Sequence, residues 1–429
     1  MLIEFSVGNY RSFKERVTFS MVAANLVSKD KSLDIDNTFD VDNKELKLLK
    51  TAAIYGANAS GKSNFARALS FMKWFMTNSS KETQSTDKIG VDPFKLSTET
   101  EGKPSHFELA FLMNGKNYRY GFEVTQDRVI SEWLFYVPRV RETNLFERKL
   151  DSIKSSKTYD ADGVQQRTRS NALFLSVSAQ FNVDIAEKIL EWVTDKLNII
   201  SGLHDRLYKQ YTIECLVNNK YKSDIVQLIK KLDLGISGIQ VEQEDLAIDS
   251  LTDERTDTLK KFIVQLGGGK TTSIGISHRK FDADGSHKSI EEFDLEKHES
   301  EGTKKIFALA GPLITALKEG EILIIDEFDA RLHPLISLEI VKLFNSREAN
   351  PNNAQLIFMT HDTNLLNNKI FRRDQIWFTE KNRYSATDLY SLVEYKIRND
   401  ASFESDYIKG KYGAIPYIGN LKHLMESNV

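Results

Sequence analysis

Eight consecutive residues, Gly56-Ala57-Asn58-Ala59-Ser60-Gly61-Lys62-Ser63, have the Gly-x4-Gly-Lys-Ser spacing of a phosphate-binding (Walker A) loop. The residue types suit a polyphosphate. The loop around Gly56, Asn58 and Gly61 lets backbone N–H groups wrap β- and γ-phosphates, and the Lys62 ammonium offsets their charge. The Ser63 hydroxyl suits Mg²⁺. Asn64 opens a segment of helical periodicity, whose positive end would face the same phosphates. Downstream, Ile322-Leu323-Ile324-Ile325 runs into Asp326-Glu327, an apolar strand ending in two acids (Walker B). Asp326 would hold Mg²⁺ through water, and Glu327 would polarise the attacking water as general base. An acid beside the magnesium aspartate argues for hydrolysis rather than passive binding. The plainer alternative, terminal acids that cap the next helix, is outweighed by the phosphate loop upstream.

Two further segments fit the same chemistry. In Glu299-Ser300-Glu301-Gly302-Thr303, a Ser at a helix start and a Gly that admits close approach can bind a γ-phosphate through hydroxyl and helix dipole. An ordinary N-cap with an acidic first turn is the alternative. Phe358-Met359-Thr360-His361-Asp362 closes another apolar run, and His361 stands 34 residues after Glu327.

The elements that must hold these residues can be read in outline. Leu2 to Val7 alternates as a strand before a Gly8-Asn9 turn, and 26–50 is polar, a loop or short hairpin. Thr51 to Tyr55 is a buried strand leading into the loop, and Asn64 to Thr77 has helical spacing. From about 90 to 178 the texture is antiparallel sheet: Phe107–Leu112, Asn117–Val124 and Ile130–Val137 alternate, and Asn114-Gly115 signals a hairpin. Val183 to Ile200 and Tyr221 to Leu234 are expected to be helical. The acidic 242–261 and the triplet Gly267-Gly268-Gly269 look like linkers. After Ser300 a helix to Leu317, the strand Ile322–Ile325, a helix from Pro334 and the strand Gln355–Met359 are expected. The expected domains are 1–89, the first part of the ATPase core; 90–180, an antiparallel β lobe; 181–260, a mainly helical insertion; and 261–429, the rest of the core.

The order of signature-like segment, acidic strand and histidine resembles the ATP-binding-cassette superfamily. The fold this implies is α/β, a P-loop NTPase of ABC/SMC-like type with the β lobe and helical insertion as additions. Transporters usually have Ser-Gly-Gly in the signature; here it is Ser300-Glu301-Gly302. The resemblance implies that Ser300 and Gly302 complete the site of a second subunit, and that His361 donates to the γ-phosphate. It also implies that Asp329 is a dimer-crossing aspartate, Gln180 a magnesium-sensing glutamine, and Arg11 a nucleotide-contacting arginine. Lys62 and Asp326 are 264 positions apart, a layout similar to the SMC, Rad50 and RecF branch, without its coiled-coil arms. The start Ile3 to Phe13, the block Asp326 to Pro334 and the tail Lys411 to Pro416 resemble the AAA15/AAA21 group of prokaryotic ATPases, as in RloA and AbiL. Membership would imply ATP and Mg²⁺ as cofactors, and a homodimer through the ATP sites or a higher homo-oligomer. It would also imply phage defence beside a separately encoded nuclease of Toprim type.

Composition sets the outer bounds. With 41% hydrophobic and 28% charged among 429 residues, the chain can bury a sizeable core. Its longest charge-free apolar stretch, Ile306 to Leu317, is too short to cross a bilayer. One cysteine, Cys215, excludes an intramolecular disulfide and suits a reducing, cytoplasmic location. A net charge of −3 gives no global field for nucleic acid, though Val137–Ser170 and His204–Lys231 are locally basic and could meet nucleic acid or an acidic phage protein. A repair or chromosome ATPase is the competing function. A single-chain nuclease is disfavoured because 68 residues after His361 leave little room for a Toprim domain. A transporter subunit is disfavoured by the long insertion, and a non-hydrolysing scaffold by Glu327.

Overall fold

The computed structural model describes residues 1–41, 46–137, 141–233, 235–245, 270–398 and 401–416. It divides into two compact units, Met1–Leu203 with Ala316–Ala330 and Ser337–Val429, and His204–Thr315 with Arg331–Ile336.

The larger unit holds two sheets. One is six-stranded, in the order Leu197–Ser201, Ile322–Asp326, Gln355–Met359, Thr51–Tyr55, Ile376–Lys381, Thr387–Ser391. The first five strands are parallel and the last is an antiparallel edge. Such strands are covered on both faces, which is why Thr51–Tyr55 and Gln355–Met359 are buried along their whole length. The second sheet is antiparallel throughout, ordered Ser152–Ser155, Thr143–Lys149, Val129–Val137, Lys116–Val124, Ser105–Met113, Leu2–Gly8, Val17–Ser20. Asn114 and Gly115 turn its central hairpin with φ of 51° and 70°, as a two-residue turn of matching twist requires.

Between the sheets lies the helix Lys62–Asn78. Its Phe65 packs edge-on against Phe5 and Phe19 at 5.6 and 5.2 Å, and Phe75 against Phe122 at 5.5 Å. Phe65 and Phe75 are fully buried, and truncating either to alanine would cost about 3–5 kcal/mol. The helix that follows the phosphate loop is thus the core of the unit.

The smaller unit packs helices Arg206–Val217 and Lys222–Leu232 with a three-stranded sheet, Ile236–Asp245, Lys270–Phe281 and His287–Asp294. Ile213, Leu216, Ile225, Ile229, Ile276 and Phe307 form its core. Phe307 belongs to the helix Glu301–Glu319, which carries Pro312 in its interior. Pro312 has no N–H for the carbonyl of Ala308, and the Thr212 hydroxyl takes that place at 2.8 Å.

Several expectations are revised. The helix expected over Val183–Ile200 stops at Lys196, and Leu197-Asn198-Ile199-Ile200-Ser201 is a strand beside Ile322–Asp326. Its branched residues suit a sheet, and only long-range pairing reveals it. Phe174–Gln180 is a helix, so the antiparallel strands end at Ser155. The expected linker falls mostly on 246–269, as does Gly267-Gly268-Gly269, outside the described residues. The sequence after Met359 reads as a small tail, but it contributes the strands Ile376–Lys381 and Thr387–Ser391.

Candidate active site

The phosphate loop joins Tyr55 to Lys62 with a run of unusual backbone angles: Ala59 has φ 62° and Gly61 φ 122°. An alanine at Gly61 would be strained by that φ and would put its Cβ 2.5 Å from Thr387 Oγ1. Lys62 turns back over the loop, its Nζ donating to Gly56 O at 2.7 Å and Ala57 O at 3.1 Å. Burial pulls its ammonium down to about 8, and Asp326, Glu327 and Asp329 pull the other way. The lysine and the acids of the second motif therefore share one site.

Asp326 ends its strand opposite Ser201, and the next residue, Glu327, has φ 54°. That left-handed turn lets Phe328 N–H donate to Met359 O at 2.9 Å, binding the acidic turn to the strand before His361. Asp329 Oδ1 accepts from Thr360 Oγ1 at 2.7 Å and from His361 N–H at 3.3 Å. The His361 imidazole is held below the ordinary histidine value, first by desolvation and then by the Lys62 charge. It is therefore neutral at pH 7 and can donate a hydrogen bond. Lys62, Asp326, Glu327, Asp329 and His361 converge although the sequence spreads them over 300 positions.

Asp326 Oδ1 is buried and makes no hydrogen bond among the described residues. A buried carboxylate oxygen without a donor is costly, and a cation beside it would answer that cost. Asp326 with Ser63, the residue after Lys62, fits Mg²⁺, and the loop around Gly56, Asn58 and Gly61 fits polyphosphate.

Arg11 lies on a turn tied to this loop. Its neighbour Ser12 accepts from Asn64 Nδ2 at 2.8 Å, which binds the turn to the helix after the loop. Arg11 itself has φ 49°, donates its N–H to Asp92 O at 2.8 Å, and sets its guanidinium 3.9 Å from the Asp92 carboxylate.

Gln180 does not join the site. It is exposed at the end of Phe174–Gln180, one turn beyond Ser176, whose Oγ donates to Ser80 Oγ at 2.8 Å. Ser80 lies past the far end of the helix Lys62–Asn78, which rises about 25 Å from its start, so Gln180 stays more than about 12 Å from Ser63. An expected metal-sensing role for Gln180 fails on that distance.

Ser300 and Gly302 belong to the smaller unit. Ser300 caps Glu301–Glu319, its Oγ accepting from Thr303 N–H at 3.1 Å, and Thr303 Oγ1 donates to Asp233 at 2.8 Å. The exposed Glu301 pairs with Lys304 at 2.9 Å and Arg331 at 3.2 Å. Those two cations offset the acid that stands where transporter signatures have glycine.

Residues 52–367 match the family model described as "AAA domain, putative AbiEii toxin, Type IV TA system". The chain belongs to this AAA_21 family. No curated protein matches the sequence. Among solved structures, an SmcHead bound to the C-winged helix domain of ScpA is 14% identical with a TM-score of 0.44, over 91% of this chain and 97% of that one. An SMC head domain from Thermotoga maritima is 14% identical with a TM-score of 0.39, over 91% and 98%. The recombination mediator RecF with ATPrS is 14% identical with a TM-score of 0.34, over 91% and 98%. These are distant likenesses.

The AAA_21 match contains every candidate from Gly56 to His361, while Arg11 precedes it. It also contains Gly202, which sequence reading missed. Gly202 N–H donates to Asp326 O at 2.6 Å, and a Cβ there would lie 2.7 Å from the Glu327 carbonyl carbon and nearer still to its oxygen. A Ser-Gly step after a branched run was the available signal, but it marks many turns. Among the described residues no helix is long and apolar enough to cross a membrane.

Proposed function

We propose that this AAA_21 protein binds MgATP at Gly56–Asn64 and hydrolyses it. The observation that carries this reading is the convergence of Lys62 with Asp326, Glu327 and His361 around a buried carboxylate oxygen that lacks a donor. Lys62 leaves the carbonyls of Gly56 and Ala57 for the phosphates and neutralises charge that builds on them during transfer. Ser63 and Asp326 would hold Mg²⁺, which would supply charge neutralisation at the phosphates. Glu327 accepts a proton from the attacking water as its oxygen bonds to phosphorus and the bond to the leaving ADP oxygen breaks. His361, neutral at pH 7, donates to the phosphate oxygens, and Arg11 approaches the nucleotide from its turn.

Ser300 and Gly302 contact the γ-phosphate held by a second copy, which makes the functional form a homodimer or an assembly of dimers. In the cell the protein acts in the cytoplasm as the sensor or regulator of a phage-defence system, with a separately encoded nuclease of Toprim type as effector. The family description and the likeness of the Asp326–Pro334 and Lys411–Pro416 blocks to RloA- and AbiL-type proteins support this role. A chromosome or repair ATPase of SMC/RecF type competes with it, and hydrolysis stimulated strongly by DNA would favour that alternative.

Glu327→Gln is the deciding variant. It keeps size and hydrogen bonding but loses the charge that activates water, so turnover should fall by about 10²–10⁴ while ATP still binds. With ATP retained at the interface, light scattering should report an ATP-dependent dimer or larger assembly, undone by adding Gly302→Asp. Normal hydrolysis by Glu327→Gln would put the base elsewhere, and assembly indifferent to ATP and to Gly302→Asp would remove the shared site.

A further inference from the structure

The phosphate loop rests on a pair of threonines from a hairpin more than 300 positions downstream. Thr379, on Ile376–Lys381, and Thr387, which opens Thr387–Ser391, are both fully buried. Thr387 Oγ1 donates to the Ser60 carbonyl at 2.7 Å. Thr379 Oγ1 meets the Ser60 hydroxyl at 2.7 Å. Ser60 stands between Ala59 and Gly61, loop residues with φ of 62° and 122°, so its carbonyl and hydroxyl are fixed where the backbone is least ordinary. The glycines on either side fit against the same threonines. A Cβ on Gly61 would lie 2.5 Å from Thr387 Oγ1, and one on Gly56 2.5 Å from Thr379 Oγ1. Thr387 also reaches the arginine turn, because its N–H donates to Ser12 O at 2.7 Å, and Ser12 in turn accepts from Asn64.

We propose that Thr379 and Thr387 are positioning residues for the nucleotide site, holding the loop's N–H groups in their phosphate-facing arrangement and tying the Arg11 turn to them. Neither touches nucleotide; both act through Ser60. The inference rests on reading the loop as the nucleotide site. Its physical basis is preorganisation: a loop whose strained conformation is fixed beforehand does not have to be ordered when ligand binds. Holding the Ser60 carbonyl in one direction also keeps the Gly61 N–H, in the same planar peptide, pointing the other way.

Thr387→Val keeps the shape and removes the donor to Ser60 O, and Thr387→Ser keeps the donor. Affinity for a fluorescent ATP analogue measures the effect without turnover, and thermal unfolding without nucleotide reports the fold. Thr387→Val should bind about tenfold more weakly, the fold-change that corresponds to about 1.4 kcal/mol, with Thr387→Ser within about twofold of wild type. Unchanged affinity in Thr387→Val overturns the proposal, and so does equal weakening in Val and Ser, because Ser retains the donor to Ser60 O and should rescue binding. Should Thr387→Val not fold, Thr379→Val serves instead: it frees the Ser60 hydroxyl and should weaken binding about fivefold, and unchanged affinity overturns the proposal. Wild-type protein that binds no ATP, alongside a Lys62→Ala variant that is equally inert, would remove the nucleotide site itself and this inference with it.

Discussion

Replacing Gly202 by alanine tests whether Glu327, the proposed general base, is held in place by a neighbour outside any motif. A Cβ at 202 would sit 2.7 Å from the Glu327 carbonyl carbon, closer to its oxygen, and 3.0 Å from Asp326 O. Ordinary contacts between such atoms lie near 3.5 Å, so the Glu327 peptide must retreat by about 1 Å or more. Asp326 and Glu327 are backbone-bound on their other side by the Phe328 N–H bond to Met359 O, so the turn cannot retreat without disturbing the strand that leads to His361. The stability cost should be about 1–3 kcal/mol, the usual range for overpacking. The effect on catalysis is larger, because a 1 Å displacement of a reacting group can cost about 10²-fold. Phosphate release in a single turnover should therefore fall by about 10² in Gly202→Ala. ATP affinity should stay within about threefold, since the three atoms nearest the built Cβ belong to Asp326 and Glu327 rather than to the phosphate loop. Hydrolysis within a factor of three of wild type by folded Gly202→Ala protein would refute the claim that this contact sets the position of Glu327.

Other outcomes follow from the same geometry. Lys62→Ala should remove ATP binding or turnover while leaving the unfolding temperature within a few degrees of wild type, and wild-type hydrolysis by the folded variant would end the phosphate-loop assignment. Gln180→Ala should leave the Mg²⁺ concentration for half-maximal hydrolysis unchanged, because Gln180 is at the far end of the helix from Ser63; a tenfold rise would contradict that placement. Lys50 is buried with one carbonyl acceptor, Asn345 O at 3.3 Å, and burial pulls its ammonium down to about 8 from 10.5. The unfolded chain therefore binds more protons between those values, and wild-type stability should gain with rising pH from about 8 to 10.5 relative to Lys50→Met. Denaturant midpoints at pH 7 and 10 measure this, with Lys50→Met the more stable at pH 7; a gap that widens with pH would reverse the sign.

Local chemistry makes much of this protein legible in its sequence. The phosphate loop and the acidic strand were readable because their chemistry needs small residues, a lysine and paired acids at fixed short spacing, and nothing else in the chain competes with those patterns. The hairpin at Asn114-Gly115 was readable because positive φ restricts residue type. Strands Thr51–Tyr55 and Gln355–Met359 were readable because burial on both faces leaves an unbroken apolar run. Pairing was not legible. Leu197–Ser201 looks like the end of a helix until Ile322–Asp326 offers it a partner, and Ile376–Lys381 looks like tail until Thr51–Tyr55 does. Gln180 shows the converse, a residue of suitable type at a suitable place in the sequence whose helix carries it away from the metal candidates. The threonines behind the loop carry no signal of their own and the Ser-Gly step at 202 marks no more than a turn, because the importance of all three is a distance to residues remote in the chain. Sequence determined which groups could do phosphate chemistry; long-range strand pairing and close packing decided which of them meet.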